Sequence, residues 1–158
     1  ENHPGVLSRV SGLFSRRSFN IDSLAVGVTD DPTVSRITII VDGNEYTVEQ
    51  VEKQLNKLID VIKLKTLSPA DTISRELMLV KVAAGANERG EIMNIVRIME
   101  AKICDISRTT MTLEVSDTTE RLETMLELLR PYGLREVIRT GTIATQKGSD
   151  SITVKNNN

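Results

Sequence analysis

Apolar residues at Val6, Leu7, Val10, Leu13 and Phe14 fall on one face of a helix, with polar positions between them. The rhythm then changes. Residues 21–28, "IDSLAVGV", and 34–42, "VSRITIIVD", alternate and are rich in β-branched side chains. They read as strands, joined through the Asp-Pro turn of "TDDPT". A second helix follows, with Val48, Val51, Leu55 and Leu58 inward and a Thr47–Gln50 capping box at its start. "DVIKLKTL" (60–67) reads as a further strand.

The order then returns. "RELMLVKVA" (75–83) is a strand, and 88–102 is a helix with Ile92, Ile95, Val96 and Met99 inward. "CDIS" and "TMTLEVS" are strands. "TERLETMLELLR" is a helix that Asp117 and Glu120 can cap, and "LREVIRTGTIA" (134–144) is the closing strand. The second half is therefore β-α-β-β-α-β. At one offset Asn2 falls on Asn87, Gly5 on Gly90, Val10 on Ile95, Leu13 on Ile98, Asn20 on Asp105 and Ile21 on Ile106. The expected architecture is α+β, with tandem ferredoxin-like βαββαβ domains at 1–68 and 75–147. A linker at 69–74 joins them, and a polar tail covers 148–158.

The first half has no opening strand, and in a ferredoxin-like sheet that strand is central. Without it Val6, Leu7 and Val10 lose much of the surface they cover. The expectation is a native polypeptide that extends upstream by about ten residues, one ordinary strand. Each half is small, so burial by association is also expected.

Composition narrows the function classes. Net charge is −2 and the basic residues are scattered, so no polyanion-binding face is announced. Aromatics are 3% with no Trp, which argues against a base-stacking surface. No nucleic-acid partner is expected. No apolar run approaches the ~18 residues of a membrane span, and no secretory leader is visible. The lone Cys104 permits no internal disulfide and fits a reducing compartment. It reads as a small buried hydrophobe. Met93, Met99, Met111 and Met125 read as core filler, Arg16 and Arg17 as favourable charges at a helix C-terminus, and Glu49 with Lys53 as a surface pair.

Catalytic groups are scarce. His3 is the only His, so a triad would have to be built on that residue near the start, and a metal centre of several His or Cys cannot be assembled. The opening turn carries different chemistry. A helix N-terminus offers unpaired N–H groups and partial positive charge, which suit a carboxylate or phosphate. Gly5 allows close approach to the backbone, Pro4 suits the first turn, and Asn2 stands at the rim. The same residues also make a plain strand-to-helix turn with Asn2 as its cap. "NERG" in the second half, with Arg89 in place of Pro4, reads as structural, and Asn20 reads equally as a bend residue.

The stretches "NHPGVLSRVSGLFSRRSFNIDSLAVGVTDDPTVSR", "VEQVEKQLNKLIDVIKL" and "RELMLVKV" resemble the small regulatory subunits of acetolactate synthase (acetohydroxyacid synthase). The likeness runs from Glu1 to about Lys147. It implies an ACT domain followed by an ACT-like domain, and a family strand ahead of Glu1. It implies a non-catalytic chain that binds valine, leucine or isoleucine as feedback effector between two ACT domains of a homodimer. It implies activation of a separate catalytic large subunit, in which thiamine diphosphate, Mg²⁺ and FAD reside; no cofactor or metal is implied for this chain. The effector carboxylate would meet the amides of Gly5, Val6 and Leu7. Asn2 would hold the effector, and Asn20 and Ile21 of the second copy would close over it. Leu24, Ala25 and Gly27 would line or tune the pocket, while His3 and Pro4 receive no specific role. The location implied is cytoplasmic, or the plastid stroma in a photosynthetic eukaryote.

Two rivals are a ligand-sensing domain of a transcription factor and a small enzyme on the same fold. The chain shows no helix-turn-helix or basic segment for the first, and no catalytic His and Cys groups for the second. The thiamine chemistry itself has no Gly-Asp-Gly segment to stand on.

Overall fold

A computed structural model of the chain describes residues 1–152. These divide into two compact units, Glu1–Ile73 with the described residues from Ala144 on, and Ser74–Ile143.

In the first unit α1 (Val6–Arg16) buries Val6, Val10, Leu13 and Phe14. β1 (Ser23–Val28) and β2 (Ser35–Ile40) form an antiparallel pair, with Leu24 opposite Ile39 and Val26 opposite Ile37. α2 (Glu45–Leu55) adds Val51 and Leu55. Val10, Leu13, Phe14, Val51 and Leu55 make the core, with Ile21, Ile37, Ile39 and Leu58 partly buried against it. The α1 helix ends because Ser18 turns left-handed at φ 57, with Phe19 N–H donating to Phe14 O and Ser18 N–H to Ser15 O. That is a Schellman stop.

Several expectations need correction here. Leu7 is 43% exposed, outside the core that the helical period assigned to it. Asn44, not Thr47, caps α2: its side chain accepts from Thr47 N–H at 3.0 Å. Asn binds there as well as Thr would, so the box was read one turn late. Residues 60–67 form no strand. In the second unit the matching strand pairs with the opening strand of its repeat, and no strand precedes α1 to offer that ladder.

The second unit is complete. β3 (Thr72–Ala83), α3 (Arg89–Ile98), β4 (Lys102–Ile106), β5 (Thr110–Asp117), α4 (Thr119–Leu129) and β6 (Leu134–Arg139) give a sheet of order β4-β5-β3-β6. Met78, Val80 and Val82 of β3 and Met111, Leu113 and Val115 of β5 alternate inward against Ile92, Ile95, Leu122, Met125 and Leu129. The expected closing strand is shorter than 134–144: β6 stops at Arg139, Gly141 follows with φ 83, and β7 (Ile143–Gln146) falls from Ala144 on in the first unit. α4 is capped by Thr118, not Asp117, whose carboxylate takes the Thr118 amide and the Arg121 guanidinium. The stretch 69–74 holds a 3₁₀ turn at Pro69–Asp71 and the first residues of β3. Of the polar tail, 153–158 lies outside the described residues.

Cys104 is exposed, not buried: all of edge strand β4 is exposed, and Cys104 is the extra residue of a bulge on it. Met93 is 47% exposed, whereas Met99, Met111 and Met125 are core. The repeat offset also shifts. Val10, Leu13 and Phe14 correspond to the buried Ile92, Ile95 and Val96, and Ser18 to Glu100, which makes the same left-handed stop at φ 54. The offset read from sequence lies about one helical turn away and places Leu13 on Ile98, which is 70% exposed. Apolar period alone cannot separate alignments that differ by one turn.

Candidate functional site

The start of α1 is an open helix end. Gly5 is its cap residue at φ 92, ψ −16, and supplies no side chain to it. The first backbone bond of the helix runs from Arg9 N–H to Gly5 O at 3.0 Å, so the amides of Val6, Leu7 and Ser8 precede any intrahelical partner. A Cβ at Gly5 would meet nothing within 4 Å. Glycine is therefore required by backbone conformation rather than by crowding inside the chain, and the space above it is clear.

Asn2 does not cap this helix. Its backbone N–H donates to Thr33 O at 2.7 Å and its Nδ2 to Pro32 O at 2.8 Å, which ties the opening turn to the β1–β2 connection. The backbone N–H and one side-chain N–H of Asn2 face that connection, and its amide oxygen is an acceptor at the rim. The connection is itself braced. Asp31 Oδ1 accepts from Thr33 Oγ1 at 2.6 Å and Thr33 N at 2.8 Å, and these bonds hold its carboxyl below the ordinary range.

The other residues expected at the pocket lie elsewhere in the same chain. Asn20 and Ile21 follow the far end of α1, and eleven residues of helix span about 16 Å. Asn20 Nδ2 donates to Asp22 Oδ1 at 2.6 Å, and Ile21 packs on its own core. Leu24 shares the helix-facing side of the pair with Ile39, whereas Ala25 and Gly27 lie on the opposite side with Thr38 and Arg36. Thus Asn2, Gly5, Val6 and Leu7 mark one pole of the unit and Asn20 and Ile21 the other. β1 connects the poles, and β2 is its one strand neighbour among the described residues.

Sequence reasoning missed a third group at the first pole. Asp60 follows α2 and is 5% exposed. Its Oδ2 accepts from Arg9 at 2.5 Å, and its Oδ1 lies 3.1 Å from His3 Nε2. The Arg9 guanidinium, outweighing burial, holds the Asp60 carboxyl below its ordinary value, with His3 contributing less. Glu1, His3 and Asp60 bring ligand-type atoms within 4.8 Å of one another, but Arg9 already sits on the Asp60 carboxylate. The signal available in the sequence was an acid placed among apolar residues of a segment read as a strand.

In the second unit Arg89 folds back over the start of α3. Its Nε donates to Ala84 O at 3.2 Å, and its Nη2 to Ser107 O. The guanidinium thus ties the start of α3 to the end of β3 and to the β4–β5 connection.

Residues 1–63 match the AHAS small subunit-like ACT domain, and residues 75–148 match the small subunit of acetolactate synthase. The chain is 47% identical over 152 residues to the acetolactate synthase small subunit of Mycolicibacterium smegmatis, covering 96% of this chain and 89% of the relative. The chain belongs to the acetolactate synthase small-subunit family. A probable small subunit from Methanothermobacter thermautotrophicus is 48% identical over 150 residues, covering 94% and 89% of the two chains. The crystal structure of the Thermotoga maritima small subunit superposes with a TM-score of 0.86 at 36% identity, covering 94% of this chain and 93% of that one. The family carries an ACT domain on a ferredoxin-like α+β fold. Among the described residues no helix is long and apolar enough to cross a membrane.

Proposed function

We propose that this chain is a non-catalytic regulator that binds a branched-chain amino acid, valine foremost, at an interface between two copies of its first unit. The observation that carries the reading is the glycine-opened end of α1, placed within the stretch that matches the family's ACT domain. A zwitterionic amino acid suits such an end. Its carboxylate meets the amides of Val6, Leu7 and Ser8, its ammonium meets amide oxygens such as that of Asn2, and its aliphatic tail meets apolar side chains.

The two poles explain why a second copy is needed. Asn20 and Ile21 cannot reach Gly5 of their own chain across the length of α1. An antiparallel two-fold pairing on the free edge of β1 places the start of one β1 beside the end of the other. Asn20 and Ile21 of one copy then approach Gly5 of its partner, which is also the arrangement expected from family resemblance. Leu24, Ala25 and Gly27 belong to that seam.

Effector binding would favour one arrangement of the assembly, and a catalytic large subunit that distinguishes arrangements would change its activity. Such coupling requires the effector to bind the states unequally. Thiamine diphosphate, Mg²⁺ and FAD belong in this reading to the large subunit. The working location is the cytoplasm. Calorimetric titration of valine, leucine and isoleucine into the full-length protein tests the reading. Saturable binding at one site per chain supports it, and a folded dimer that binds none of the three refutes it.

A further inference from the structure

We propose that Asp60 is a positioning residue for the effector pocket, clamping the opening turn and α1 together so that the helix amides are presented at a fixed angle. The proposal rests on the reading of the α1 start as an amino-acid site.

Asp60 lies in the chain just after α2, yet the side-chain partners of its carboxylate come from the opening turn and α1. One oxygen takes Arg9, one turn into α1, and the other faces His3 in the turn. A carboxylate only 5% exposed is held in place by such partners, since an unpaired one would be strongly disfavoured there. The turn is consequently strung between two anchors. Asn2 is fastened to Pro32 and Thr33 on one side, and His3 to Asp60 on the other. Between the second anchor and the helix stand only Pro4 and Gly5, and Gly5 has no side chain with which to fix itself. The turn that leads into the Val6, Leu7 and Ser8 amides is therefore held from both sides, beside the hold that buried Val6 gives the helix itself.

The clamp also governs charge. Arg9 sits near the positive end of the α1 dipole, where a cation is unfavourable. Asp60 pairs that guanidinium, so the field at the mouth comes from the amides, whose position is fixed, rather than from a swinging side chain. An effector with a carboxylate then finds donors already aimed, and less ordering remains to be done on binding.

The test is calorimetric titration of valine into the full-length protein as wild type, Asp60→Asn, Arg9→Gln, Arg9→Lys and the Asp60→Asn/Arg9→Gln double variant, with amide NMR shifts of the ligand-free proteins. Asp60→Asn and Arg9→Gln are each expected to weaken valine binding about tenfold. The double variant is expected to lose no more than either alone, because both break the same clamp. Arg9→Lys, which keeps a charge on Asp60, recovers most of the affinity. The Gly5, Val6 and Leu7 amide resonances shift in the weakened variants before any ligand is added, a change that general destabilisation elsewhere in the unit would not confine to this turn. Should Asp60→Asn fail to fold, Arg9→Gln carries the test, because Arg9 is 53% exposed. Wild-type affinity in a folded Asp60→Asn or Arg9→Gln protein overturns the clamp while leaving the pocket intact, as do additive losses in the double variant. Absence of wild-type binding to valine, leucine and isoleucine overturns the pocket and the clamp with it.

Discussion

Replacing Gly5 separates backbone strain from ligand contact. At φ 92 the residue occupies a conformation that costs an L-amino acid roughly 1–2 kcal/mol. A Cβ there meets no atom of the chain within 4 Å, so no steric cost is added. Gly5→Ala should therefore lower the stability of the first unit by about 1–2 kcal/mol, a shift of several degrees in Tm for a domain of this size. Gly5→Asp should cost a similar amount, since the cap φ lies outside the range in which Asp caps well. The two variants part company on valine. The aspartate places a negative charge beside the amides that, in the proposed reading, receive the effector carboxylate. Two like charges about 4 Å apart repel by about 1 kcal/mol if fully solvated and about 4 kcal/mol at the effective dielectric of a protein surface. Valine affinity should fall from about fivefold to about a thousandfold further in Gly5→Asp than in Gly5→Ala. Calorimetry of both variants, with thermal unfolding alongside, decides the matter. Equal valine affinities in the two folded variants would refute the placement of the carboxylate at this helix end. A loss of stability above about 4 kcal/mol in Gly5→Ala would refute the open-space argument.

Other predictions follow from the rest of the structure. Asp31 and Asp60 have carboxyl pKa values lowered by the Thr33 bonds and by Arg9 respectively, so their contribution is complete above the ordinary carboxylate pKa near 4 and is lost as pH falls through the lowered values. Melting temperature should be flat near neutrality and drop in acid, with a shallower drop in Asp31→Asn; an unchanged acid limb in that variant would count against the assignment. Leu122→Ala, at a fully buried position of the second unit, should cost about 2–5 kcal/mol in denaturant unfolding. Glu76 is 6% exposed and receives two Arg139 bonds, at 3.1 and 2.8 Å. Glu76→Ala should cost about 1–3 kcal/mol, because Arg139 loses a charged partner but is partly able to reach water; a neutral result would show the pair to be dispensable. Cys104 should react with a thiol reagent in the folded protein nearly as fast as in the unfolded one, whereas a core thiol would be protected.

Much of the fold was legible because period carries it. Alternation in 75–83 and the helical faces of α1, Leu7 excepted, and of α3 need only local sequence, and the structure keeps them. What period could not settle were questions of neighbour and register. Residues 60–67 have strand composition, but a strand exists only with a ladder partner, and composition does not say whether one is present. Cys104 and Ile98 look apolar in the sequence, yet one is a bulge residue and the other lies on the outer face of α3. The repeat offset slipped by a turn for the same reason. At the candidate site, Gly5 was readable because a positive φ leaves few alternatives, and Asn2 was readable as important but not as a donor to the hairpin. Asp60 lies 57 residues from His3 and 51 from Arg9, and its apolar neighbours hint at burial without naming those partners.

If the effector binds between two copies as proposed, the separation of the poles along α1 gives the pocket joint ownership. A chain altered at Gly5 still lends an intact Asn20 end to its partner, and a chain altered at Asn20 still offers an intact Gly5 end. In a mixed dimer of the two, one seam collects both defects and the other collects neither. Two proteins that are each insensitive to effector would therefore regain one site in every mixed dimer, about a quarter of all sites after free exchange of subunits in equal amounts, a form of complementation that a pocket built within one chain would never show.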